Sequence, residues 1–163
     1  PVFWRLHRMH HTDLAFDCTT ALRFHPLEIL LSLLIKGAAV VILGVSAQAI
    51  LIFEILLNSL ALFNHGNIYL PEKLDHYLRK IIVTPDMHRV HHSTVLKESN
   101  SNFGFNLSCW DHLFSSYCHN SKAGQLNMAF GIKGCHYQQQ NTIKRLLQQP
   151  LATFKEKTND PQA

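Results

Sequence analysis

The chain has 163 residues, a formal net charge of +4, 47% hydrophobic residues and 16% charged residues. This length fits one domain, and the apolar content argues against long disorder. The positive charges are few and form no stripe, so composition gives no support to nucleic-acid binding. Histidine is the outlier, with 12 residues against 11 carboxylates. Because histidine is the commonest metal ligand, the composition favours a metal site or a titrating cluster.

The first predicted element is a helix end over residues 1–12, which carries the string H-R-M-H-H at residues 7–11. Positions i, i+3 and i+4 share one face of a helix, so three imidazoles can point at one place. Residues 13–26 are polar and typical of a turn. The residue before a proline avoids helical conformations, so we expect the next helix to begin at Pro26 or just after it.

Residues 27–63 form an apolar block in which the formal charges are Glu28, Lys36 and Glu54. The block is too long for one membrane span, and a break near Gly44 divides it into two arms of roughly 17 residues, close to the minimum for crossing a bilayer. The alternative is that the arms are two buried core helices of a soluble protein. The arms are longer than the apolar runs typical of such helices, and they lie next to each other in the chain. A lysine in mid-span must face protein or water.

A second histidine string, H-R-V-H-H, occupies residues 88–92 and nearly repeats the first. Thr84 can cap a helix there, and Pro85 suits its first position. Imidazole suits iron, zinc and copper, and two facing helices could hold two metals. Solvated basic helix ends are the alternative, but scattered histidines would not repeat this spacing. The six histidines of the two strings are His7, His10, His11, His88, His91 and His92.

The two strings lie on the same side of the membrane if the apolar block crosses it twice. Arginine and lysine flank the block at both ends, and the turn near Gly44 carries no charge. The positive-inside rule then places the histidines in the cytosol. The predicted fold is therefore all-α, a membrane helical hairpin with a cytosolic histidine-rich helical cap.

Three further residues are candidates for the site. His65 follows the second arm directly, at the depth of the two histidine strings. Asp86 and Asp111 are possible partners of ligating imidazoles, which usually donate their other N–H to a carboxylate or carbonyl. Capping of a helix is the alternative for both carboxylates, and we favour it for Asp86.

The rest of the chain gives weaker predictions. Residues 93–109 are rich in serine and asparagine and predict a loop. Ile143, Leu146 and Leu147 share one face of a short helix, which fits an interfacial helix and an ordinary packed one equally well. We expect one domain over residues 1–154 and a disordered tail over residues 155–163.

Five strings follow one another over about residues 1–117. They are W-R-L-H-R-M-H-H at 4–11, R-F-H-P-L-E at 23–28, N-H-G-N at 64–67, T-P-D-M-H-R-V-H-H-S at 84–93, and N-F-G at 102–104 with W-D-H-L-F at 110–114. In content and order they resemble the fatty acid hydroxylase and sterol desaturase superfamily of membrane enzymes.

This resemblance implies a di-iron, O2-dependent oxidase that hydroxylates or desaturates a fatty acyl or sterol-like lipid. The six histidines of the strings would bind the two iron ions, and His65 lies where the family places another ligand. The family has a further HxxxH box upstream, so the chain is expected to be an N-terminally truncated fragment that is inactive alone. His112 and Ser115 stand where the family pattern has arginine and glycine.

The source of electrons and two rival functions remain open at this point. No GxGxxG string is present, so the reaction implies a redox protein as electron donor. A zinc-dependent hydrolase is one rival, because imidazole also suits zinc, but no HExxH supplies its base. A histidine-rich metal-binding membrane protein without turnover is the other. The sequence does not name the lipid.

Overall fold

The structure is a computed structural model, and it describes residues 2–132 and 142–152. Within these ranges the regular elements are helical, as the sequence predicts, with two isolated β-bridges. The predicted tail over residues 155–163 lies outside the described residues. The α-helices are α1 (Val2–His11), α2 (Pro26–Leu43), α3 (Ala47–Asn64), α4 (Glu72–Leu78), α5 (Pro85–His91), α6 (Leu96–Ser99), α7 (Cys109–Leu113) and α8 (Ile143–Gln148).

Helices α2 and α3 form the predicted hairpin, and local sequence sets each of its ends. The α2 helix begins at Pro26, as predicted, after the ring of His25 caps its first turn. Gly44 ends α2 with a φ of 62°, a left-handed conformation that glycine adopts without steric penalty. The Ser46 hydroxyl then accepts a hydrogen bond from the Ala49 N–H, at 3.3 Å, and caps α3.

The hairpin exposes its apolar side chains. Each helix has 18 residues, with a mean hydropathy of 2.1 for α2 and 1.6 for α3, and no residue of α2 is buried. A core helix of a soluble protein would bury one face, so this exposure indicates a lipid environment for the hairpin. Lys36 Nζ lies 2.6 Å from Glu54 Oε1 across the two helices, and Lys36 thus faces protein in mid-span.

The remaining helices form a cap whose interior is mostly polar. Thr84 caps α5 and Pro85 takes its first position, as predicted. Arg89 is buried against the ring of Tyr69 and forms an ion pair with Asp86. Helix α5 packs against the end of α3, and this contact fixes the second histidine string above the hairpin.

Two segments of the cap refine the sequence analysis. The predicted loop over residues 93–109 contains the short helix α6, because the buried Glu98 accepts hydrogen bonds from the hydroxyls of Ser93 and Ser121. Helix α8 forms at the predicted position, and Ile143 on it is 77% exposed. The turn after α8 packs against α1, where Arg8 donates to the carbonyl of Ala152 at 2.6 Å.

Candidate metal centre

The structure brings the six histidines of the two strings and His65 together in one cluster, in which six are buried and His7 is partly exposed. Their ring nitrogens fall into two groups, each with one nitrogen per residue within 4.8 Å of the others. Each group takes residues from both strings, so helices α1 and α5 share both groups. The first group is His10, His65, His88 and His92, and the second is His7, His11 and His91.

In the first group, four Nε2 atoms face one another. His65 Nε2 lies 3.0 Å from His10 Nε2 and 3.1 Å from His88 Nε2, and His88 Nε2 lies 3.2 Å from His92 Nε2. Nitrogen ligands at right angles, with bonds of about 2.1 Å to one ion, would stand about 3.0 Å apart. The spacing is therefore that of ligands around a single transition-metal ion.

Hydrogen bonds to main-chain carbonyls fix the orientation of two rings. His65 Nδ1 lies 2.8 Å from the carbonyl oxygen of Ala61, and His91 Nδ1 lies 2.8 Å from that of Ser101. A carbonyl only accepts, so each Nδ1 carries the proton and each Nε2 keeps its lone pair. Metal-ligating histidines usually have such a partner behind the ring.

The environment keeps the buried imidazoles neutral. Burial lowers the pKa of His65 and of His91 to about 4 in each case, even though their main-chain hydrogen bonds raise it. Burial, followed by the neighbouring histidines, holds the pKa values of four others well below the usual range. These four are His10, His11, His88 and His92. Only neutral imidazole binds a metal, so the cluster is ready to bind one.

Three ring nitrogens of the cluster are buried and have no hydrogen-bond partner among the described residues: His10 Nδ1, His11 Nε2 and His88 Nδ1. A buried unpaired polar atom costs about 1–3 kcal/mol. A metal would give His11 Nε2 a partner, and an all-imidazole donor set suits iron, zinc or copper. The residues therefore fit the metal pair that the resemblance implies.

The carboxylates near the cluster have different partners. Asp86 contacts Arg89, and burial raises its pKa while the guanidinium opposes the rise. Asp111 accepts from the N–H groups of Phe103 and Gly104, at 2.7 and 2.9 Å, so it shapes the loop below His91.

The carboxylate bonded to a clustered histidine is Glu28, which the sequence analysis did not select. Its Oε1 lies 2.7 Å from His7 Nδ1. Glu28 is the last residue of the R-F-H-P-L-E string at the start of α2, and its place in that string is a sequence signal that could have found it. His25, which the sequence analysis left out of the metal set, caps α2 with Nδ1 and reaches the Leu147 carbonyl with Nε2, at 3.1 Å.

An exposed apolar hairpin beside a cluster of seven histidines, six of them buried, is typical of a membrane-associated protein with a cluster that could bind metal. The chain belongs to the fatty acid hydroxylase family, whose model matches residues 1–116. This membership confirms the resemblance drawn from the five strings.

The chain is also similar to a protein named as a lipid hydroxylase. The ornithine lipid hydroxylase OlsE of Rhizobium tropici is 32% identical over 114 residues, which are 70% of this chain and 34% of the relative. The match thus spans about a third of the relative's length. No solved structure matched the chain.

Proposed function

We propose that the protein is a membrane-bound lipid hydroxylase that uses O2 and two iron ions held by the histidine cluster. The observation that carries the proposal is the convergence of seven histidine rings in two groups at the end of an apolar hairpin. Family membership and the lipid-hydroxylating relative support the reaction class. Bound iron would supply the redox chemistry that oxidises a C–H bond.

The protein's own residues would orient the metals and keep water away. The proposed iron ligands are His10, His65, His88 and His92 for one ion, and His7, His11 and His91 for the other. The second group has fewer protein ligands, which leaves more open positions for O2 and substrate. Phe16 packs at 5.7 Å from the His65 ring, and such apolar neighbours exclude water from the first group.

The proposal also includes a partner and an orientation. Two electrons per turnover would come from a separate redox protein. The hairpin would carry the lipid to the cluster without passage through water. The basic residues that flank the hairpin support a multi-pass protein with its histidines in the cytosol.

Product formation tests the reaction. We expect protein from the complete reading frame, loaded with Fe2+ and given O2 and an electron donor, to add one oxygen atom to a lipid, as measured by mass spectrometry. A new double bond would indicate desaturation instead. Lipid cleavage that is retained with Zn2+ would point to the hydrolase, and bound metal without any product to a binding protein; either result would overturn the proposal.

Labelling tests the orientation. In a background with all four cysteines replaced by serine, one variant would restore Cys18, which is exposed in the cap, and another would carry Ala47→Cys at the tip of the hairpin. We expect an impermeant maleimide to reach the two positions from opposite sides of the membrane. Labelling of both from one side would exclude the two-pass topology.

A further inference from the structure

Helix α4 turns charged side chains inward and apolar side chains outward. Asp75 and Arg79 are buried and form an ion pair, and the Arg79 guanidinium also donates to a main-chain carbonyl at 2.8 Å. The outer side carries Leu74, Tyr77 and Ile81, which are 47%, 65% and 68% exposed. A surface helix in water has the opposite arrangement, so the outer side of α4 indicates an apolar environment.

The exposed side of α4 is itself divided into an apolar strip and a basic strip. At 3.6 residues per turn, Leu74 and Tyr77 lie about 60° apart, and helical bonding in the turn that follows keeps Ile81 beside them. Three exposed basic residues form the adjoining strip: Lys73, His76 and Lys80. Lys80 extends over Tyr77, with Nζ 5.0 Å from the centre of the ring. Long basic side chains beside an apolar strip are typical of a helix that lies in the plane of a membrane interface.

Hydrogen bonds tie the apolar strip of α4 to the end of the membrane hairpin. The Asn64 side chain, at the end of α3, donates to the carbonyl of Phe105 at 2.6 Å. Further along the same loop, the Ser108 N–H donates to the carbonyl of Ile81 at 3.2 Å. Phe105 and Leu107 in this loop are also exposed. The strip is therefore held at the end of a membrane helix, where a bilayer has its interfacial region.

We propose that the apolar strip of α4, together with Phe105 and Leu107, is a membrane-contacting surface that rests on the bilayer crossed by the hairpin. The apolar side chains reach the level of the upper acyl chains, and Lys73 and Lys80 extend back to the lipid phosphates. Tyrosine suits this level, because its ring is apolar and its hydroxyl is polar. The inference rests on the membrane-bound part of the proposed function and does not depend on the reaction.

Contact with the bilayer fixes the position of the second histidine string relative to the membrane. Helix α5, which carries that string, follows α4 in the chain. Between the two helices, the Val83 N–H donates to the carbonyl of Asn106 at 2.9 Å, and Asn106 lies between the two loop residues of the surface. The bilayer therefore holds the cap through the hairpin and also through this surface.

Two reporters on neighbouring positions of α4 test the surface. The background is Trp4→Phe/Trp110→Phe, which removes both tryptophans of the chain. One variant then carries Leu74→Trp in the apolar strip, and its matched control carries His76→Trp in the basic strip. The two positions point about 160° apart round the helix. Each variant is placed in bilayers whose lipids carry bromine on their acyl chains, and iodide is added to the water as a second quencher.

We expect brominated lipid to quench the Leu74→Trp reporter and iodide to leave its fluorescence largely unchanged, with the opposite result for His76→Trp. Ile81→Trp should behave like Leu74→Trp, which guards against a local disturbance at one position. Iodide quenching of both strip reporters would show that the strip lies in water. Protection from both quenchers would show that a second copy or another protein segment covers it. Either result would overturn the inference.

Failure of this inference can be told from failure of the proposed function. Protease protection of the same samples reports whether the hairpin is inserted. If the hairpin is inserted and brominated lipid does not quench the strip reporters, the inference about α4 is wrong and the membrane-bound function stands. If the hairpin is not inserted, the inference and the membrane-bound part of the proposed function are both wrong.

Discussion

The hairpin and the cap differ in which side chains they expose and which they bury. The hairpin exposes apolar side chains, and its first helix has no buried residue. The described parts of the chain bury 23 polar or charged residues and, besides Pro85, only seven apolar ones, nearly all of them in the cap. The hairpin therefore depends on lipid for its stability, whereas the cap depends on hydrogen bonds, ion pairs and, in our proposal, metal.

This contrast explains how a chain of average hydrophobicity can build a polar cluster of histidines beside a membrane hairpin. The lipid takes over the burial of apolar surface, so the cap can use its interior for imidazoles. Each imidazole needs a partner, because an unpaired buried polar atom costs about 1–3 kcal/mol. Four experiments, in decreasing order of expected effect, test this division between the two regions.

The largest effect should come from removing one ligand in the cap. We expect His88→Ala to lower bound iron from two ions per chain toward one, and His91→Ala to do the same through the other group, because each belongs to a different group. Lipid hydroxylation by the complete protein should fall more than about 100-fold, since loss even of a partner behind a ligand costs 10- to 100-fold.

The matched control for these variants is His76→Ala, which removes an exposed histidine of α4. Metal analysis of the purified variants and mass spectrometry of the product check the result. Retention of two iron ions and full activity by His88→Ala would show that the cluster is not the metal centre.

Removal of metal by a chelator should destabilise the cap without affecting the hairpin. A metal at 100 times its dissociation constant stabilises the state that binds it by about 2.7 kcal/mol. Its removal should lower the Tm of the cap by about 10–20 °C and leave insertion of the hairpin unchanged. Near-UV circular dichroism and protease protection in vesicles check the two parts, and an equal loss in both would mean that they are not independent.

The charge pair in the hairpin tests its dependence on lipid. Lys36→Leu leaves Glu54 in mid-span with the 3.4 Å hydrogen bond from Asn58 Nδ2 in place of an ion pair, and a charge there costs about 2.5 kcal/mol on insertion scales. The double variant Lys36→Leu/Glu54→Leu should insert at least as well as the unsubstituted chain. Glycosylation mapping measures insertion. Equal insertion by the single and double variants would show that the ion pair does not contribute to membrane insertion.

The smallest effect should come from a helix cap. Thr84→Ala removes the hydroxyl that accepts from the Met87 N–H, at a cost of about 1 kcal/mol in the free energy of unfolding. Thr142→Ala is the control, because Thr142 precedes α8 without a side-chain cap bond. Chemical denaturation compares the variants, and equal losses would contradict a specific capping role.

Much of the fold follows from short-range sequence patterns. Pro26, Gly44 and Pro85 mark helix boundaries through their own backbone preferences, so the chain order of the helices could be predicted without tertiary information. The short helix α6 could not be predicted, because what stabilises it is the distant contact between Glu98 and Ser121.

The candidate site divides in the same way. The spacing of the histidine strings alone indicates that each presents three imidazoles on one helical face. Only the packing of α1 against α5 decides that each group draws on both strings, and that His65 joins His10, 55 positions away in the chain. Likewise, the bond from His7 to Glu28 depends on how α1 meets the membrane helix. Local spacing sets which way a side chain points along its own helix, but which side chains meet depends on long-range packing, which no short pattern encodes.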